Sequence, residues 1–180
     1  MDEVARLAAA DREGLFQAAA ADMGLTPAVI EKDFWVCWLL KRVFTLASPP
    51  AELLFKGGTS LSKAFGLIER FSEDIDLVLD RHGLGFVDDR DPASGIMSGK
   101  RRTRLIEELG TACRATVRDR LLPMLRVAVG DSLGIAEGPA SWRLFTAEDD
   151  PQGQTILFAY PSTRENANAY LQPHVRLEIG

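Results

Sequence analysis

Residues 54–80 read LFKGGTSLSKAFGLIERFSEDIDLVLD. A short apolar run, Leu53-Leu54-Phe55, is expected as a buried strand that ends at the twin glycine Gly57-Gly58. From Ser60 to Glu69 the apolar residues Leu61, Ala64, Phe65 and Ile68 fall at helical spacing and form one stripe. Between Phe71 and Leu79 the period drops to two, with Ile75, Leu77 and Leu79 on one side and Asp74, Asp76 and Val78 on the other. A helix of about 11 residues, rising about 1.5 Å per residue, returns the chain about 16 Å. That is enough to lay the aspartate strand beside the glycine strand and bring the helix start to its acidic face.

Backbone amides at a helix start suit phosphate, and two carboxylates on one strand face suit a divalent cation. Aspartate is a poor strand former. Two carboxylates about 4 Å apart repel by about 4 kcal/mol at an effective dielectric of about 20, so a counter-charge such as magnesium is expected between Asp74 and Asp76. Gly57 and Gly58 let a phosphate approach the backbone, and Thr59 and Ser60 add hydroxyl donors. The plainer readings are a solvated sheet face and a tight strand-to-helix turn. Glu178, between Leu177 and Ile179 on the last apolar run, projects opposite its neighbours and is the candidate third carboxylate. No Gly-Lys-Ser/Thr follows the turn and no Gly-x-Gly-x-x-Gly occurs, so a P-loop and a dinucleotide fingerprint are both set aside.

Outward from this stretch, residues 1–20 read as one helix with Val4, Leu7, Ala8, Leu15 and Phe16 apolar. Thr26-Pro27 then starts a strong helix reaching about Leu46, stopped by Ser48-Pro49-Pro50. Arg81 to Gly99 reads as a long mobile loop, and Arg101 to about Arg126 as a helix bent by Pro123. Residues 142–146 and 155–160 read as a hairpin around Asp150-Pro151-Gln152-Gly153, and HVRLEI at 174–179 as a last strand. The organisation expected is a helical segment over 1–50 followed by a core over 51–180.

Composition is that of an ordinary globular chain: 180 residues, 46% apolar and 26% charged. Cys37 and Cys113 sit in helical patterns without metal-like spacing, which argues against a disulfide framework. No run approaches the roughly 20 apolar residues of a membrane span, and the start lacks a secretory signal, so a cytoplasmic protein is expected. A net charge of −5 excludes unselective adhesion to nucleic acid. Between Lys100 and Arg126, however, eight basic residues stand against three acidic ones, and Lys100, Arg101 and Arg104, with Arg114 and Arg118 downstream, are the candidate RNA contacts. The plainer reading there is a solvated helix face with ion pairs. His82 and His174 have no metal-partner spacing, and Trp35 and Trp38 are expected in the core.

Gly57-Gly58-Thr59-Ser60-Leu61 followed by Arg70-Phe71-Ser72-Glu73-Asp74-Ile75-Asp76 resembles the AbiEii/AbiGii-type (MenT-like) nucleotidyltransferase toxins, part of the DNA polymerase β-like nucleotidyltransferase superfamily. Val29 to Trp35 is similar to that family's N-terminal helix, and Val175 to Ile179 to its later strand. The resemblance implies an α+β fold: a small mixed β-sheet with flanking helices, preceded by a helical segment. It implies that Asp74, Asp76 and Glu178 hold Mg2+ and act in catalysis. It further implies that Lys56, Gly57, Gly58, Thr59 and Ser60 bind the nucleotide, with Arg70 and Ser72 at the pocket rim. An NTP substrate, a tRNA acceptor and a cognate antitoxin are implied as partners, in a toxin–antitoxin or phage-defence role. The family continues past this strand into a helical region with a nucleotide-facing lysine and a further aspartate motif, which these 180 residues do not include. Two alternatives stay open: a catalytically silent nucleotide- or partner-binding domain, and a small-molecule nucleotidyltransferase of the antibiotic-modifying type.

Overall fold

The computed structural model describes residues 1–66, 74–95, 97–163 and 172–180. Five strands, β1 (Leu53–Lys56), β2 (Asp74–Leu79), β3 (Arg143–Thr146), β4 (Thr155–Ala159) and β5 (His174–Ile179), form one mixed sheet in the order β1-β2-β5-β4-β3. Only β2 and β5 run parallel; the other pairs are antiparallel. The architecture is the expected α+β one. Helices α1 (Asp2–Arg6), α2 (Ala9–Met23) and α3 (Pro27–Phe44) precede the sheet, α4 (Gly57–Lys63) links β1 to β2, and α5 (Gly99–Thr116) and α6 (Leu122–Leu133) link β2 to β3.

Period-two patterning decides which face of the sheet is covered. Ile75, Leu77, Leu144, Ile156, Phe158, Val175, Leu177 and Ile179 point to one side and meet Trp35, Trp38 and Leu39 of α3 and Leu125 and Val129 of α6 in a single core cluster. Trp35 stacks on Tyr160 and Trp38 on Phe158, with ring centroids 5.5 and 5.9 Å apart. Both tryptophans are wholly buried, as expected, so neither offers a platform for a base. The other face of β1, β2 and β5 is left for chemistry.

Several boundaries move for local reasons. The expected first helix breaks at Leu7-Ala8, whose backbones are extended. Arg12, itself buried, folds back and donates to the carbonyls of Ala5 and Leu7 that the break leaves open. Leu7 and Leu15 are exposed, while Ala5, Phe16 and Ala20 fill the core side. The start of α3 follows the sequence: the Thr26 hydroxyl accepts from Val29 N at 3.4 Å and Pro27 occupies the first turn. The far boundary comes two residues early at Phe44, where Thr45 Oγ1 donates to Lys41 O.

Strand β1 is an edge strand with alternate residues exposed, not the buried strand expected from its apolar run. Helix α4 begins at Gly57 itself and closes at Lys63 instead of running from Ser60 to Glu69. Gly66 has φ +61°, a turn conformation, and residues 67–73 lie outside the described set. The long helix over 99–133 is continuous but passes through one π-type segment, Val117–Leu121, just before Pro123. Proline lacks the N–H that an α-ladder needs, and the widened turn absorbs that loss. The stretch over 81–95, expected as part of a long mobile loop, holds one 3-10 turn, Asp88–Arg90, and is fastened by ion pairs. Arg81 makes a bidentate pair with Asp91, Arg101 bonds Asp89, and Arg90 reaches Glu108.

Candidate active site

Register across the sheet assembles the candidate residues into rows. Lys56 lies opposite Asp76, Asp76 opposite Glu178, and Glu178 opposite Thr155. One row over, Asp74 lies opposite Arg176 and Arg176 opposite Leu157. Because strands alternate, Asp74, Asp76, Arg176 and Glu178 share one face, the one turned away from the helical core. Asp74 and Glu178 are exposed and Asp76 is half-buried. Neighbouring strands lie about 4.8 Å apart, so the Asp76 and Glu178 side chains start from adjacent positions.

The glycine turn abuts this row. Gly57 has φ +74°, and a methyl group added to it would stand 1.9 Å from Asp76 Oδ2. The residue must therefore be glycine on two independent grounds, a left-handed backbone and a carboxylate occupying the side-chain position. Thr59 and Ser60, both buried, spend their hydroxyl protons on the protein. Thr59 Oγ1 donates to the Asp74 carbonyl and Ser60 Oγ to Gly57 O at 2.9 Å. The first bond pins the turn to the aspartate strand, and a Lys63–Asp33 ion pair ties the end of α4 to α3. The turn is thus rigidly placed, with hydroxyls that build it instead of pointing free. Arg70 and Ser72 lie outside the described residues.

The same sheet face carries a positive charge, paired with Glu178 and Asp149. Arg176 donates from Nε to Glu178 Oε1 at 2.9 Å and from a terminal nitrogen to both oxygens of Asp149 at 3.2 and 3.4 Å. Burial works against its charge, but the bonds to Glu178 and Asp149 outweigh it and hold its pKa above the ordinary arginine value. Neither Arg176 nor Asp149 was singled out from the sequence. A basic residue two places before a glutamate on a strand was the available signal, since i and i+2 share a face. With Glu178 turned toward Arg176, no group of three or more His, Cys, Asp or Glu side chains closes into a metal cage among the described residues.

Two open grooves run along the basic helix α5. The N-terminal half of α5, with Ser98, Lys100, Arg101, Thr103, Arg104 and Glu107, lines an open groove of about 650 Å³. Farther along, Arg114 and Arg118 line a second groove of about 330 Å³ against Thr146, Ala147 and Gly153 of the β3–β4 turn, the turn that carries Asp149. Many of these charges are matched locally: Arg101 by Asp89, Arg104 by Glu108 and Arg118 by Asp119. Lys32 and Asp33 on α3 are both engaged. Lys32 bonds Gln172 O at 3.1 Å and Asp33 pairs with Lys63. Cys37 and Cys113 are free, and His82 lies 3.6 Å from both Asp80 and Asp91.

The chain is thus an α+β protein whose mixed sheet sets Asp74, Asp76 and Glu178 on one face beside a glycine turn. Residues 38–180 match the family described as the nucleotidyl transferase AbiEii toxin of type IV toxin–antitoxin systems, and the chain belongs to that family. The match contains the glycine turn, both aspartates and all of β5, so the resemblance carried by those residues holds. No curated protein and no solved structure matches the chain. Among the described residues no helix is long and apolar enough to cross a membrane.

Proposed function

We propose that the chain transfers a nucleoside monophosphate from a nucleoside triphosphate to RNA, with tRNA as the acceptor class, using Mg2+ held by Asp74, Asp76 and Glu178. Family membership supports nucleotidyl transfer, and one observation carries the site: Asp76 stands in register with Glu178 while its carboxylate is seated against Gly57. By donor type the residues suit a hard divalent cation, which takes carboxylate oxygens. The fit is one of chemistry and register, with Glu178 still to be released from Arg176 before the set closes. When bound, such an ion lowers the pKa of an acceptor hydroxyl and neutralises charge on departing pyrophosphate.

The chain's own groups do the rest. Gly57 and the Thr59 bond hold Asp76 and Asp74 in fixed positions, so little reorganisation is needed at the moment of reaction. Lys56, opposite Asp76, supplies an ammonium to the triphosphate side of the row. Glu178, once free, is the group able to take the acceptor proton. The Arg114–Arg118 groove leads from basic α5 to the turn beside the carboxylates, which favours a polyanionic acceptor over a small neutral one.

Asp76→Asn should lower transfer of label from radiolabelled NTP to bulk tRNA by at least a hundredfold. Transfer at the wild-type rate would remove the proposal. The Arg176–Glu178 bond favours a second reading, binding without turnover, which predicts nucleotide affinity by calorimetry and no labelled product from the wild-type chain.

A further inference from the structure

We propose that Arg176 is a built-in counter-ion to Glu178 that competes with a divalent cation for this carboxylate. The inference rests on the divalent-cation reading above and adds to it a residue that competes with the cation for one ligand. Asp74, Asp76, Glu178 and Asp149 place four carboxylates around the open face, and Arg176 is bonded to two of them. Its position is set by backbone pairing: it lies opposite Asp74 and two residues before Glu178 on the same face. A guanidinium there lessens the repulsion that otherwise builds across β2 and β5. It also sets a positive charge against Glu178 Oε1.

A dication and a guanidinium repel across a shared carboxylate, so Arg176 opposes the cation for as long as it stays bonded to Glu178. Arg176 keeps Asp149 as a second partner, only 3.2 Å away, and can retreat to it without becoming an unpaired charge. Asp149 is exposed and sits on the β3–β4 turn, outside the Asp76–Glu178 row. This arrangement makes Arg176 a positioning residue for the proposed reaction, acting on Glu178.

The test is Mn2+ titration of the intact 180-residue chain without nucleotide, by calorimetry and by electron paramagnetic resonance, for four proteins: wild type, Arg176→Gln, Arg143→Gln and Arg176→Lys. Arg143 is an exposed arginine on the same sheet but at its far edge, stacked over Phe145, and its loss matches the change in net charge. Arg176→Gln should bind Mn2+ at least tenfold more tightly than wild type, Arg143→Gln within threefold of wild type, and Arg176→Lys in between. Equal gains for the two glutamine variants would overturn the proposal, reducing the effect to net charge. Weaker binding by Arg176→Gln would overturn it as well, by making Arg176 an organiser of the site. If Arg176→Gln gains nothing while an Asp76→Asn substitution still abolishes Mn2+ binding, the counter-ion role fails and the cation site stands. Absence of Mn2+ binding in all four proteins ends both.

Discussion

A methyl group at residue 57 would collide with Asp76 Oδ2 on a backbone already at φ +74°. Gly57→Ala should therefore destabilise the fold by about 2 kcal/mol or more, combining left-handed strain with a clash that only a rotated Asp76 can relieve. Urea unfolding measures this, and an unchanged midpoint would show that the carboxylate is not seated there. The twin glycine was visible in the sequence, but nothing in a Gly-Gly pair says which member faces a carboxylate from a strand still to come. Asp150 offers a pH-dependent case. Its two oxygens accept from Gln152 N, Gln154 N and Thr155 N at 2.7–2.8 Å, closing the β3–β4 turn. Burial works to raise its pKa, but the bonds from Thr155, Gln154 and Gln152 outweigh this and hold it below the ordinary 3.8. A carboxyl with a depressed folded pKa stabilises above its unfolded pKa and loses that contribution as the pH falls through the folded one. Asp150→Ala should thus cost about 1–2 kcal/mol at pH 7, with the gap to wild type closing below pH ~3.8 in urea titrations. A gap independent of pH would refute the assignment.

Elements show where local pattern and tertiary demand part company. The start of helix α3 was legible because its cap, its proline and its apolar spacing all agree. The break between α1 and α2 was not, because it depends on Arg12 reaching two carbonyls upstream and Pro161 O, at 2.7 Å, far along the chain. Beside it, Glu31 is buried on α3 and accepts from Thr163 N at 2.7 Å and Ser162 Oγ at 3.3 Å. Its charge also opposes the burial that draws the Arg12 pKa down. Glu31→Ala should cost about 3 kcal/mol, since it strands a buried backbone N–H and leaves the Arg12 charge without its nearby anion. Glu31→Gln should recover part of that loss in thermal unfolding, and identical losses for both would deny the charge any role. The π-type segment at Val117–Leu121 was half legible: Pro123 announced a disturbance, and packing chose a widened turn over a kink.

At the scale of the whole molecule, a net charge of −5 and a basic α5 set opposing terms for any polyanionic partner. Local pairing of Arg101, Arg104 and Arg118 with acidic neighbours reduces the number of charges available for phosphate. If RNA docks along the α5 grooves, affinity should fall linearly on a log–log plot against salt, with a slope near that of two to four phosphate contacts. Filter binding of tRNA between 50 and 200 mM salt measures it, and Lys100→Ala with Arg114→Ala should flatten the slope by about two. A slope unchanged by that double substitution would place the RNA elsewhere. Sequence alone determined that a helix starts at Pro27, the period-two strands and the pairing of Asp74 with Asp76 on one face, because these depend only on residue spacing within a few turns or pleats. It also determined the family, through the short motif that joins glycine turn to aspartate strand. Tertiary structure alone decided that β2 and β5 run side by side in parallel with Asp76 beside Glu178, and that Gly57 must yield its side-chain space to Asp76. It alone decided too that Arg176 reaches Asp149 on the β3–β4 turn. Gly57 and Asp76, Asp76 and Glu178, and Arg176 and Asp149 lie about 20 to 100 positions apart, and only chain closure around a shared core brings such pairs within reach.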